Sequence, residues 1–291
     1  MLENNPKIYA TPSALYTQLK EEATLECKSY YTSCQRSIIE NALYHVNNVY
    51  KQDKFTLPTV DDFLSCTMEK PMSDFSLLSL PKPMNQSIPS FKEHREAYHK
   101  ITNIVTNYKN NTSNSTNGIV LVGAGGVGKT IDMRLAALYM ISQGLRVYST
   151  CLMGKRGAEL GGRHLAVLFK YPTQHGLSTT EMAEKCVYSL TKDPKLFALL
   201  NVLDALCIDE IGQLSTQHLI VLHLTLCRIR QNYQPFGGII IICTLDHLQL
   251  QPIDGQFCLF NPIMLTSMIY HRYLLPLRTT CEILLRIQEI T

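Results

Sequence analysis

The stretch GIVLVGAGGVGKTIDMRLAALYM, Gly118 to Met140, constrains this chain more than any other. Its middle reads Gly-x-x-x-x-Gly-Lys-Thr. An apolar run, Ile119 to Val122, precedes the glycines. A segment of helical character, Lys129 to Gln143, comes after them and closes at Gly144. Strand, glycine loop and helix in that order make a phosphate-binding loop. A glycine-rich turn with a chance lysine would need neither flank. Gly123, Gly125, Gly126 and Gly128, with Ala124 and Val127 between them, let the backbone wrap closely around phosphate oxygens. The loop ends at a helix N-terminus, where free N–H groups and the dipole favour an anion. Lys129 is placed to reach the terminal phosphates, and the Thr130 hydroxyl to hold a magnesium ion. Such a loop implies a bound nucleotide, but not what its energy drives.

A second stretch, LDALCIDEIGQLS, complements the first. A buried strand, Ala205 to Ile208, ends in Asp209-Glu210. A carboxylate at a strand tip can hold magnesium, which assigns Asp209. The neighbouring Glu210 can orient and deprotonate an attacking water. Adjacent acids are also common in solvated loops, but beside a phosphate loop they favour hydrolysis over nucleotide storage.

Strand and helix signals alternate from about residue 89. Phe91 to Tyr108 reads as a helix and Asn110 to Asn117 as a polar loop. Leu145–Thr150, Leu203–Ile208 and Gly238–Cys243 read as strands. Leu219, Leu222, Leu226 and Ile229 mark one face of a helix between the last two. Continuously apolar strands alternating with helices predict a parallel sheet covered on both faces. Residues 1–88 form a mostly helical N-terminal extension with a proline-containing linker, whose role the sequence does not give. Ile39, Leu43, Val46 and Tyr50 predict a helix over Ser37–Tyr50, and Pro58, Pro71, Pro81, Pro83 and Pro89 predict a linker or irregular segment after it. The 291 residues, 45% of them hydrophobic, suffice for one large domain or two smaller ones.

Composition narrows the partners. A formal charge of +3 permits a nucleic-acid partner without indicating one. The ten cysteines contain no CxxC, which disfavours zinc and a disulfide framework and suggests reduced, mostly buried thiols in the cytosol or nucleus. The N-terminus carries no apolar signal segment, and no apolar run approaches the roughly 18 residues of a membrane span, so no membrane partner is expected.

Three further stretches bear on purpose: TCLMGKRGAELGGRHLAVLF from Thr150, the run from Asp209 to Ile253, and LLPLRTTCEILLRIQEIT at the C-terminus. With the phosphate loop they resemble the Pif-type helicases, relatives of RecD in superfamily 1, which include the helicase portion of rolling-circle transposons. The resemblance covers about residues 88 to 291. It implies a RecA-like α/β lobe, ATP and magnesium as cofactors, single-stranded DNA as partner, and 5′-to-3′ unwinding driven by hydrolysis. It also implies a role in DNA repair, recombination or telomere maintenance, or a transposon origin, in the nucleus or mitochondrion. Thr150, Gly154, Leu160, Gly161 and Gly162 fall where the family touches DNA. Pro235, Phe236, Gly237, Gly238, Asp246, Gln249, Leu250 and Pro252 carry a second family pattern, in which Gln249 senses the terminal phosphate. Arg278 falls at the position of an arginine that stabilises charge on the transferring phosphate.

The chain departs from the family in places. SFKEHREAYHKI resembles the adenine-reading segment, but His94 stands where the family has Gln, and imidazole cannot make the two-sided contact of an amide. Met153 replaces a Thr, His164 and Ala166 replace a Thr-x-His, and Leu245 replaces a Gly. The family has a second lobe after the arginine segment, whereas this sequence ends at Thr291. The expected activity is therefore hydrolysis that becomes unwinding only with a second lobe supplied elsewhere. The alternative is a non-catalytic ATP- or DNA-binding remnant. An unrelated phosphate-loop enzyme such as a kinase would leave the Pro-Phe-Gly-Gly stretch unexplained.

Overall fold

The computed structural model describes residues 12–50, 56–66, 70–81, 91–111, 118–174 and 176–246. The chain opens on a long helix, α1 (Pro12–Tyr50), then the short α2 (Val60–Ser65) and α3 (Phe91–Lys109). Strand β1 (Gly118–Val122) leads through the glycine loop into α4 (Lys129–Ser142), and β2 (Val147–Cys151) comes next. Four helices then intervene: α5 (Gly154–Glu159), α6 (Leu165–Leu168), α7 (Thr179–Thr191) and α8 (Pro194–Val202). The described chain finishes with β3 (Ala205–Asp209), α9 (Thr216–Arg230) and β4 (Ile240–Leu245).

The four strands form one parallel sheet in the order β1-β4-β3-β2. Every residue of β2, β3 and β4 is buried, as a sheet covered on both faces requires. This is the RecA-like arrangement expected. Its order brings the tips of β1, β4 and β3 side by side at one edge.

Local chemistry sets the helix ends. Ser178 and Glu181 form a capping box at α7, and Asp193 caps α8 with Pro194 in its first turn. Helix α4 ends in a Schellman motif: Leu145 N–H reaches Met140 O at 3.0 Å, Gly144 N–H reaches Ile141 O at 2.8 Å, and Gly144 has φ 81°. Arg230 at the end of α9 donates to Asn201 O at 2.5 Å, Leu203 O at 2.7 Å and Gly237 O at 2.8 Å. One guanidinium thus satisfies the end of α8 and pins the Pro235–Gly238 turn. Phe236 is buried there, and its N–H donates to His223 Nδ1 at 2.9 Å.

Several expectations shift. The strands expected over Leu145–Thr150, Leu203–Ile208 and Gly238–Cys243 begin two residues later. Leu145 belongs to the α4 cap, Leu203 caps α8, and Gly238 closes a 3-10 turn. The helix expected over Ser37–Tyr50 starts at Pro12. Packing also continues across residue 88. Ile38, Ile39, Leu43, Val46 and Tyr50 of α1, with Phe63, Phe75, Leu77 and Leu80 from the proline-bearing stretch, join the same core as α4 and the sheet. Gln35 Nε2 donates to Val147 O at 2.7 Å, covering the β2 edge. Cys151, Cys186, Cys207, Cys227 and Cys243 are buried free thiols. Among the described residues, no helix is long and apolar enough to cross a membrane.

Candidate nucleotide site

The glycine loop is stitched to the sheet by Gly123 N–H, which donates to Leu245 O at the end of β4, 3.2 Å away. Gly126 (φ 81°) and Gly128 (φ 97°) adopt left-handed backbone that a side chain would strain. The Gly128 carbonyl accepts from Ile131 and Asp132 N–H at 2.9 and 3.1 Å, starting α4. Lys129 Nζ curls back onto the loop. It donates to Gly123 O at 2.7 Å and Ala124 O at 2.6 Å, and lies 3.8 Å from Asp246 Oδ2. Burial pulls its pKa below the usual lysine value, against the charges of Asp246, Asp209 and Glu210.

The acid pair sits at the tip of β3, beside the loop. Thr130 Oγ1 is 3.4 and 3.3 Å from the two Asp209 carboxylate oxygens. Glu210 is buried and has left-handed backbone, φ 59° and ψ 44°. For a non-glycine residue this conformation stores strain of the kind found at functional sites. Thr244 on β4 holds both acids: its hydroxyl accepts from Glu210 N–H at 2.9 Å and donates to Asp209 Oδ1. The Glu210 carboxylate also meets Gln213 Nε2 at 3.2 Å and Arg156 Nη1 at 2.5 Å. Burial raises the Glu210 pKa, Arg156 opposes, and Asp209 and Asp246 add to the rise.

These groups line one pocket of about 310 Å³: Gly125, Gly126, Gly128, Lys129, Thr130, Ile131, Arg134, Arg156, Asp209, Glu210, Thr244 and Asp246. It offers N–H groups and cations to an anion, hard oxygen donors to a divalent ion, and a buried carboxylate to water.

Among the expected DNA-side residues, Thr150, Gly161 and Gly162 make packing contacts within the lobe. Thr150 is fully buried, and its hydroxyl donates to Arg163 O at 2.5 Å. A Cβ on Gly161 would lie 2.4 Å from Ser37 O, and one on Gly162 only 1.8 Å from Ser149 O. Their glycine character is thus a packing requirement between α1 and β2. Gly154 opens α5. His164 caps α6, accepting from Ala166 N–H at 3.1 Å.

His94, which stands where the resembling family has its adenine-reading Gln, pairs with Asp132 on α4. Its Nδ1 lies 2.6 Å from Asp132 Oδ2, and Tyr98 OH donates to Asp132 Oδ1 at 2.8 Å. Burial lowers the His94 pKa, but the Asp132 hydrogen bond and charge, Glu93 and a bond to the Val127 backbone carry it above the usual histidine value. The imidazole braces the loop and α4 from behind. Gln249, Leu250, Pro252 and Arg278 lie outside the described residues.

Sequence reading missed Arg156, Arg134 and Thr244. Ile208 pairs with Cys243 in the parallel register, so Thr244 comes opposite Asp209. The expected strand stops at Cys243, one residue short of Thr244.

The profile of the PIF1-like helicase family matches residues 91–268, well over half of the chain. The chain belongs to the PIF1-like helicase family. The matched range takes in α3, the phosphate loop, the acid pair and β4. The chain is similar to the ATP-dependent DNA helicase Pif1 of Psychrobacter sp. (strain PRwf-1), at 28% identity over 142 residues, covering 47% of this chain and 20% of that protein. The ATP-dependent DNA helicase Pif1 of Bdellovibrio bacteriovorus is 27% identical over 154 residues, covering 51% and 33%. The aligned part therefore spans between a fifth and a third of these relatives. A crystal structure of Pif1 helicase from Candida albicans overlays with a TM-score of 0.47 at 20% identity, over 58% of this chain and 36% of that one.

Proposed function

We propose that this chain carries the ATP-hydrolysing lobe of a 5′-to-3′ DNA helicase, responsive to single-stranded DNA. The observation that carries this reading is the convergence of the loop, Lys129, Thr130, Asp209 and Glu210 in one pocket at the sheet edge. The Psychrobacter and Bdellovibrio relatives, both ATP-dependent DNA helicases, support the choice of nucleotide and polymer.

In this reading the loop N–H groups and Lys129 bind the phosphates, as helix N-termini and phosphate loops do. Lys129 would exchange its carbonyl partners for phosphate oxygens. Thr130 and Asp209 present hard oxygens 3.3 Å apart and fit a magnesium ion, which when bound draws charge from the transferring phosphate. Glu210 orients a water and takes its proton as the water oxygen bonds to the terminal phosphorus and the bond to the departing diphosphate breaks. Gln249 and Arg278 would sense and stabilise the terminal phosphate, as the resemblance implies. Single-stranded DNA would cross near Gly154, on a ledge that Thr150, Gly161 and Gly162 shape from below. A second lobe or partner chain would complete the grip.

The test is ATP turnover by the full chain, with and without single-stranded DNA, beside Lys129→Ala and Glu210→Gln. We expect DNA-stimulated turnover that disappears in both variants, with nucleotide binding retained in Glu210→Gln. Turnover no higher than that of Lys129→Ala would reject the enzyme and leave the binding-remnant reading.

A further inference from the structure

The pocket holds a cation that neither the phosphate-loop pattern nor the acid pair calls for. Arg156 stands on α5, one of the helices between β2 and β3, and lines the phosphate pocket beside the acid pair. Its Nη1 lies 2.5 Å from Glu210 Oε1 and 4.0 Å from Asp209 Oδ2. A guanidinium in that position occupies the carboxylate oxygen that a hydrolytic water would need.

We propose that Arg156 is a nucleotide-contacting residue that binds the terminal phosphate of a nucleoside triphosphate, so that the site prefers triphosphate over diphosphate. The proposal rests on the nucleotide-site reading and deepens it.

Three observations carry it. The first is reach: Arg156 lines the same pocket as Gly125, Gly126, Lys129 and Thr130, where a bound phosphate would lie. The second is freedom. The Arg156 side chain is 46% exposed, whereas that of Glu210 is 7% exposed. The arginine can swing between partners while the glutamate stays fixed by Thr244 and Gln213. The half-exposed guanidinium keeps water as an alternative partner, so it can leave the carboxylate without being stranded. The third is charge. Lys129, Arg134 and Arg156 share the pocket with Asp209, Glu210 and Asp246. A polyphosphate adds negative charge on the loop side and competes for the mobile cation. Arg134 also lines the pocket but is buried, with Nη2 donating to Glu159 O at 3.3 Å and a buried Nε that has no hydrogen-bond partner among the described residues. It adds positive charge to the pocket but, being buried, cannot follow a ligand. The guanidinium fork matches phosphate oxygens in two-point contact, which a lysine at this place could not copy. When Arg156 turns to the phosphate, the Glu210 oxygen it held is released to face water.

The test is equilibrium binding to the full chain of ADP and of a non-hydrolysable β,γ-imido ATP analogue, both with magnesium, in wild type, Arg156→Ala and Arg156→Lys. A charged hydrogen bond lost in Arg156→Ala predicts about 10- to 100-fold weaker binding of the triphosphate analogue, with ADP affinity within about twofold. Arg156→Lys should recover part of the preference. Equal weakening of both ligands, or no change in either, would show that Arg156 serves only its ion pair with Glu210 and overturn the proposal. Failure of wild type to bind either ligand would instead reject the nucleotide reading itself, and this proposal with it. Thermal unfolding of each variant separates lost contacts from lost folding.

Discussion

Thr244 does with one hydroxyl what the acid pair cannot do alone. Two neighbouring carboxylates repel, and Glu210 must also hold a strained left-handed backbone. The Thr244 oxygen accepts the Glu210 N–H and donates to Asp209, fixing both acids from the adjoining strand. Thr244→Val keeps the shape and removes both bonds. It should cost about 1–3 kcal/mol, the penalty of an unsatisfied buried group, and lower turnover more than nucleotide affinity. Thermal unfolding with steady-state kinetics checks this; unchanged turnover would remove Thr244 from the catalytic arrangement. The other residue whose task emerged only in three dimensions is His94. Burial lowers its folded-state pKa, but the Asp132 bond and charge outweigh burial, and the net shift is upward. Its pairing therefore adds stability that is complete below the unfolded value of about 6.5 and fades as pH rises through the folded value. Wild type should exceed His94→Gln in melting temperature most at mildly acidic pH, with the gap closing as pH rises. A gap that widens with pH would contradict the pairing. Lys129, Thr130, Asp209 and Glu210 were legible in the sequence because local motifs carry them. Thr244, Arg156 and the His94–Asp132 pair were not, because each acts on a residue far away in the chain.

At the scale of elements, the apolar runs identified the strands but not their starts. Leu145 and Leu203 are as apolar as the strand residues after them, and Gly238 adjoins an apolar run directly. Only the helix caps and the turn that use these three residues reveal the offset. Helices α5 to α8 carried no expectation; α5 and α6 are too short to show a helical period, whereas α7 buries Met182, Ala183, Cys186 and Leu190 along one face, a period that sequence reading missed. The Leu160-Gly161-Gly162 turn shows the opposite case, a motif recognised by resemblance whose glycines have a nearer cause. Gly161 has φ 75°, and the backbones of α1 and β2 occupy the space that Cβ atoms at Gly161 and Gly162 would take. Gly162→Ala forces a methyl against backbone and should destabilise by about 1–3 kcal/mol or more, with or without DNA. A melting temperature equal to wild type would return the glycine to a purely DNA-facing role.

At the scale of the molecule, the boundary drawn at residue 88 rests on prolines and polar runs, which punctuate backbone but do not report where side chains pack. Helix α1 spreads its apolar face over α4, α8 and the β2 edge, and Gln35 bonds the edge strand itself. The part ahead of the family match is thus a wall of the nucleotide lobe, and α4, which begins at Lys129, is buried between α1, α3 and the sheet. Two separable units would unfold separately; one shared core should unfold together. Ile39 on α1 is fully buried in that core. Ile39→Ala should cost about 2–5 kcal/mol, and the loss should not stay in α1. Native-state hydrogen exchange reads this directly, since amides of β3 open only with the unit that contains them. If α1 and the sheet are one unit, the β3 amides lose as much protection as those of α1. If α1 is an appendage, β3 protection is unchanged while α1 alone exchanges faster, and nucleotide affinity at the Lys129 loop survives the substitution.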